Sequence, residues 1–556
     1  MKKSILYLTL PVTLLFTSCS DFLDVQPEGN PVVTEYFTND QQAIDAIDGL
    51  YERFHQEALY GQDLFWEQGA ACDIVWGREC SFNDLALFKN DAYSSNPLND
   101  ILETLYTVMA RANWAVDGLL DREKQRTLTA IETRSLGEAY FVRSWAHFLI
   151  AYRYGIDKQG VPFTRWEDFP NGYDYSIPAQ QKSVMENYRL IIEDLDNAIK
   201  RLPNFEDYGA DDRGRAHKAA AIAMKAKVLA YWATWEPAKW NTVIEMVNLL
   251  EKDYNRDLAE TFDKVFSPEF EDFFNKEYLW SIPSTGGVTG GGSKFPGVVL
   301  ENKGWDKYNG WGQMKPTLDI YNEMTKDNVE GKKNDRLKRS ILEYGQEFPY
   351  FGETRKFFSA SDDEAGFQIN KYMAPFGKHN PIENGYVNPN GNFMTVRINF
   401  PIIRFAEMLL FRAEAYLMTG NAGEAWKDLN RIHKRACGQE LSGPKQATWE
   451  QLYHERRCEL AFEFTDHLFD LKRWHKSSNA EIKKLAAKEL NKLPDVRFYV
   501  NRGDANSAIK GTGTYSPFKG MSKATYKDDY LVYPYPYLQV INSHGKLKQN
   551  PGYINS

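Results

Sequence analysis

Glu455, Glu459, Glu463 and Asp470 stand close together in the sequence, with Arg456 and Arg473 among them. Paired carboxylates are what glycoside hydrolysis requires. Helical spacing brings Glu459 and Glu463 near one another and puts Arg456 one turn earlier. An acid and a base for that reaction must face each other across a cleft. Groups strung along one helix do not, so the segment reads as salt bridges that fix helix packing. Other catalytic patterns are missing: there is no HExxH, no GxSxG and no GxxxxGK[ST]. The glycine-rich stretch 285–297 lacks the lysine spacing of a phosphate loop. The nine histidines are scattered, and His454 and His467, bordering a helix, read as packing or surface residues rather than metal ligands. Arg502-Gly503-Asp504 reads as an ordinary turn.

Rings are the better candidates. Sugars present C–H faces that stack on indole and phenol rings, while amides and carboxylates take the hydroxyls. Tyr60, Trp66 and Trp76, with Asp73 and Arg78, form one cluster between the early helices. Trp305, Tyr308 and Trp311, with Asn309 and Gln313, form a second in an irregular region. For any single ring the alternative is an anchor between loop and helices, and at least one of the two clusters is expected to bind ligand. Trp280, in a strand-like run, and Trp474, in a helix, read as core.

The elements that must position these residues are mainly helical. Apolar spacings of three and four predict helices over 41–54, 101–120, 132–154, 184–202, 404–418, 422–435 and 449–474. The alanine-rich stretch 216–234 favours a helix with close neighbours through Ala223, Ala226 and Ala230. Leu409, Ala413, Tyr416, Ala425 and Leu429 match a tetratricopeptide unit whose turn is Thr419-Gly420-Asn421. Between about 253 and 402 the pattern breaks into an irregular insertion with short strands such as 278–282. The tail 530–553 is rich in Pro and Tyr and reads as non-helical. The expected fold is therefore dominated by α-helix, with tetratricopeptide-like pairs and a loop-rich region.

A net charge of -9 argues against nucleic acid, which needs clustered Lys and Arg. Aromatic content of 14% exceeds what a core needs and points to recognition surfaces. Cys72, Cys80, Cys437 and Cys458 form no CxxC pair, and no His stands at zinc-finger spacing beside them, which argues against structural zinc. Cys72 and Cys80 share one loop-like segment and are candidates for a disulfide; Cys437 and Cys458 read as small buried hydrophobes. No cofactor is expected, and whether the Asp- and Asn-rich loops hold a structural calcium ion is left open.

Lys2 and Lys3, the apolar run 5–16 and Phe16-Thr17-Ser18-Cys19 describe a signal peptide, too short to cross a hydrocarbon core of about 30 Å. Residues 1–18 are expected to be removed, and acyl chains on Cys19, worth about 0.8 kcal/mol per buried CH₂, to hold the mature chain at a membrane.

Cys19-Ser20-Asp21-Phe22-Leu23-Asp24 resembles the start of mature SusD/RagB-family proteins. So do Phe37, Ala43 and Tyr51, then Gly214-Arg215-Ala216 with the helix behind it, and Arg412-Ala413-Glu414-Ala415-Tyr416. Glu455-Arg456-Arg457 through Glu459-Leu460-Ala461-Phe462-Glu463 to Asp470-Leu471-Lys472-Arg473-Trp474 is similar to the family's most recognisable helix. Tyr533-Pro534-Tyr535-Pro536 and Gln549-Asn550-Pro551-Gly552-Tyr553 are similar to its ending. Phe464-Thr465 and Tyr535 depart from the commoner residues. The resemblance runs from leader to tail and implies one SusD-like domain over 19–556. It implies a surface-exposed outer-membrane lipoprotein of Bacteroidetes that sits as a lid on a SusC-type TonB-dependent transporter and delivers oligosaccharides to it. Both aromatic clusters correspond broadly to where the family binds glycan. A peptide-binding member is the nearest alternative; a carbohydrate-active enzyme is the more distant one.

Overall fold

The computed structural model describes residues 36–553 apart from 68–70, 76–82, 90–95, 170–179, 270–271, 273, 285–294, 296–309, 311, 344, 351–352, 358–365, 374–382, 384–386, 389–394, 500–507 and 513–521. Its first half is a run of helices: α1 (Asp40–Tyr51), α2 (Asn96–Gln125), α3 (Ala130–Tyr154), α4 (Val184–Arg201), α5 (Lys218–Trp232) and α6 (Lys239–Lys252). Each packs on the next from α2 onward, and α1 lies against α2 and α3. The sequence specifies the starts. Thr129 and Glu132 form a capping box for α3, and Ser183 caps α4. In α5, Ala223, Ala226 and Ala230 are fully buried, allowing the neighbouring helices to approach closely.

The second half contains α7 (Phe405–Met418), α8 (Ala422–Cys437), α9 (Trp449–Leu460), α10 (His467–His475) and α11 (Ala480–Leu490). α7 and α8 form the expected tetratricopeptide-like pair. Leu409, Ala413, Ala425 and Leu429 are fully buried between them, and Gly420 turns the chain at φ +81°, a conformation open to glycine. The helix expected over 449–474 is two helices. The chain breaks after Leu460, where Phe462 takes φ +64°. Lys371 Nζ donates to Glu459 O (3.2 Å) and Ala461 O (2.7 Å), taking carbonyls that no helical N–H reaches. The tail, expected to be non-helical, includes a short helix, Tyr537–Asn542.

The region 253–402 is irregular but tied at both ends. Strand Tyr278–Ile282 pairs antiparallel with Phe400–Arg404, and Trp280, 3% exposed, packs edge-on against Phe54 and Phe141. Short helices Leu318–Thr325 and Asp335–Ser340 lie between. Among the described residues no helix is long and apolar enough to cross a membrane.

The charged segment is the inside of the scaffold. Glu455, Glu459, Glu463 and Asp470 are all at most 1% exposed. Arg404 Nε lies 2.7 Å from Glu463, and its Nη1 is 2.6 Å from Glu277 and 2.7 Å from Glu459. Arg435 also pairs with Glu277 and Glu459, Arg456 with Asp470 (2.5 Å) and Arg473 with Asp470 (2.8 Å) and Glu414. Trp474 Nε1 donates to Glu414 at 2.8 Å. Burial costs several kcal/mol per ion and is offset only where most donors and acceptors are satisfied. Carboxylates held this way do not face a cleft, which removes the hydrolytic reading of this segment.

Substitutions inside that network and at an exposed ion pair should differ in cost. Arg404→Met leaves buried carboxylates uncompensated, and urea denaturation should show a loss of about 3–5 kcal/mol. Lys124→Ala, at an exposed pair with Asp121, should cost under about 1 kcal/mol. Burial alone would raise the Glu459 carboxyl, but Arg435, Arg404 and Arg336 hold it down at about 2. A depressed folded pKa contributes stability above the unfolded value near 4.5 and loses it as pH falls toward 2. The slope of stability against pH in that window should flatten in Glu459→Gln.

Candidate functional site

One strand pair adjoins both aromatic clusters in sequence. Ile74–Val75 lies antiparallel to Lys315–Pro316, with Ile74 opposite Pro316 and Val75 opposite Lys315. Thr317 N donates to Asp73 O at 3.1 Å, and Thr317 Oγ1 donates to Cys72 O at 2.5 Å. Segments more than two hundred residues apart in the chain are thereby joined at residues adjoining both clusters. Gly312, at φ +64°, bends the chain into this pair. Gln313 is half-buried, and its Oε1 has no hydrogen-bond partner among the described residues. Trp76, Arg78, Trp305, Tyr308, Asn309 and Trp311 lie outside the described residues.

Tyr60, Trp66 and Asp73 serve as anchors, which corrects their assignment to the ligand surface. Tyr60 is 7% and Trp66 2% exposed. The Tyr60 hydroxyl accepts from Trp145 Nε1 at 3.0 Å, and its ring packs edge-on against Phe464. Asp73 is 1% exposed; Arg457 Nε donates to it at 2.8 Å, and His467 Nδ1 lies 2.7 Å away. Burial works to raise the Asp73 carboxyl, but Arg457 and His467 outweigh it and hold it below its ordinary value. α9 and α10 thus grip the strand that leads into Trp76. A carboxylate bound by both partners is occupied, and a ring without an open face has nothing to stack.

Cys72 is a free buried thiol, not half of a disulfide with Cys80, which lies outside the described residues. Its Sγ donates to Lys492 O at 3.4 Å, and burial pushes the thiol up to about 12.

One concavity formed by described residues escaped the sequence. Tyr106, Phe163, Trp166 and Tyr535 line a groove of about 450 Å³ that also touches Asn113 and Gln539. Its lining comes from four separated segments, so no local motif announces it. The Asn113 amide is already engaged: Nδ2 donates to Thr164 O at 3.0 Å, and Oδ1 accepts from Arg143 Nη1 at 2.9 Å. The groove is apolar and offers few free polar groups, unlike a surface for a hydroxyl-rich ligand.

The chain resembles known proteins along most of its length. A family model described as "SusD family" matches residues 276–553, and one described as "Starch-binding associating with outer membrane" matches residues 21–229. The chain is 25% identical to SusD-like protein P25 of Formosa agariphila over 511 residues, covering 83% of this chain and 88% of that protein. Among solved structures, a SusD-like protein from Bacteroides fragilis superposes with TM-score 0.72 at 21% identity, covering 93% of this chain and 98% of the other. Surface glycan-binding protein A from Bacteroides fluxus superposes with TM-score 0.66 at 22% identity, covering 93% and 100%.

The anchor assignment has a measurable consequence. Trp66→Ala should cost about 3–5 kcal/mol in urea denaturation, as for a buried ring. Trp311→Ala, if its ring serves a ligand, should cost under about 0.5 kcal/mol in the free protein.

Proposed function

The chain belongs to the SusD family, and on that premise we propose that it is a surface-exposed, lipid-anchored outer-membrane protein that captures oligosaccharides and passes them to a SusC-type TonB-dependent transporter. Cys19 carries the lipid in this reading, and residues 1–18 are the leader. The description of the family model matching residues 21–229 supports association with the outer membrane and a carbohydrate ligand. The observation that carries the reading is the strand pair Ile74–Val75 with Lys315–Pro316, adjoined in sequence by two stretches dense in Trp and Tyr. Trp76, Trp305, Tyr308 and Trp311 supply the stacking faces, and Arg78, Asn309 and Gln313 address hydroxyls. Capture needs no bond-making group and no cofactor, so the protein is a binder and not an enzyme.

Calorimetric titration of the mature chain with a panel of oligosaccharides tests this. At least one glycan should bind, and Trp76→Ala or Trp311→Ala should weaken it about tenfold or more, a loss of about 1.4 kcal/mol. Tyr106→Ala and Trp166→Ala should leave it unchanged; the opposite pattern would move the site to the groove. Binding of peptides with no glycan response would replace the cargo, and hydrolysis of a bound glycan by the pure protein would restore an enzymatic role.

A further inference from the structure

The groove lined by Tyr106, Phe163, Trp166 and Tyr535 has no part in the glycan site proposed above, and apolar surface is uncovered at its edges. Among the described residues four large apolar side chains are exposed: Phe169, Val329, Leu538 and Ile541. All but Val329 stand on or next to groove-forming segments. Leu538, 67% exposed, and Ile541 belong to the short helix Tyr537–Asn542, whose Gln539 lines the groove. Phe169 directly follows the turn Trp166–Asp168, whose Trp166 lines it. Exposed apolar surface gathered in this way and rimmed by polar groups marks a contact with another protein.

Beside it stand carboxylates without cations. Glu103 lines the groove, and Asp100 stands one turn earlier on α2. The turns Glu57–Gly61 and Asp63–Trp66 pack on the same helix. Asp63 is 7% exposed, and among the described residues its carboxyl has neither a hydrogen bond nor an ion pair. Burial, then the charges of Glu57 and Asp100, push it up to about 7. Burial and Glu103 raise Asp100 as well. The Glu103 carboxylate accepts from Gln539 Nε2 at 3.2 Å, a neutral partner. Lys546 and Lys548, exposed beside Leu547, form no ion pair with these acids. Each acid thus meets another where an ammonium or guanidinium would be favourable.

We propose that the groove and its carboxylates dock a polypeptide segment of the SusC-type transporter in which a Lys or Arg adjoins apolar side chains. This rests on the transporter partnership proposed above. The apolar side chains enter between the rings and cover Leu538 and Ile541, and the cation meets Asp63, Asp100 and Glu103. Aromatic rings at the centre and charge at the edge are the usual division of a protein interface, and the charge pairing sets the direction in which the segment lies. A glycan finds few free polar groups here, and an anionic lipid headgroup is repelled by the carboxylates.

Titration of the mature chain against its purified SusC-type transporter in detergent, read by biolayer interferometry, tests the surface. Glu103→Lys and Leu538→Glu should each weaken the complex about tenfold or more while leaving the urea midpoint of the free chain unchanged. Val329→Glu, exposed elsewhere, should leave the complex as it was. A cation brought to Asp63 lowers its carboxyl, so a proton leaves on binding. Affinity should therefore rise with pH up to about 7 and level off above it, and Asp63→Asn should remove that slope, which lost packing alone would not do. Normal binding by both Glu103→Lys and Leu538→Glu, or a slope retained in Asp63→Asn, would overturn this surface and leave the partnership standing. No complex with the unaltered chain would overturn both.

Discussion

The buried guanidinium of Arg404 is the constraint around which the molecule closes. It stands at the entry to α7 and touches Glu277, just before the strand Tyr278–Ile282, as well as Glu459 and Glu463. Those three carboxylates belong to the near end of the irregular insertion, to α9 and to the break after it. The same strand pairs with Phe400–Arg404, so backbone and ionic contacts fix one register. Lys371, from inside the insertion, adds a bond to Glu463 at 2.8 Å and covers the end of α9. Removing such charges from water is costly, and the cost is met only if every partner arrives together. The insertion is thus held in one position against the helices.

Most of the scaffold was legible in the sequence. Apolar spacing located the long helices because one stripe of each is buried, and small residues at Ala413 and Ala425 marked the paired helices. α6 and α11 carry equally regular stripes, Val243, Val247 and Leu250 in one and Ile482, Ala486 and Leu490 in the other, yet escaped the sequence reading. The break between α9 and α10 was not legible. Ala461 and Phe462 have no turn chemistry of their own, and the stop is imposed by Lys371 from ninety residues upstream.

The site was legible by composition and only partly by residue. Tyr60 and Trp66 look the same in sequence whether they face sugar or core, since both uses favour large rings with one polar atom. What separates them is the partner: Trp145 for Tyr60, and Arg457 with His467 for Asp73, each contributed by a distant helix. The ERR segment was read correctly as structural ion pairs, although the single helix assumed for it is two, with Glu463 in the break and Asp470 on α10.

Consecutive residues of α9 serve different neighbours, which follows from a turn of about 100° per residue. His454 addresses Glu323 and Asp327, Glu455 addresses His433 and Arg336, Arg456 addresses Asp470, Arg457 addresses Asp73, and Glu459 addresses Arg404. One helix therefore supports the strand that adjoins the aromatic clusters and, on another face, the insertion that holds Asp327. Recognition needs side chains positioned by elements that do not yield, and loops have little stability of their own. Here that stiffness comes from charge buried in α9, whose Arg457 holds Asp73 at the start of the strand pair while His454 holds Asp327 on another face.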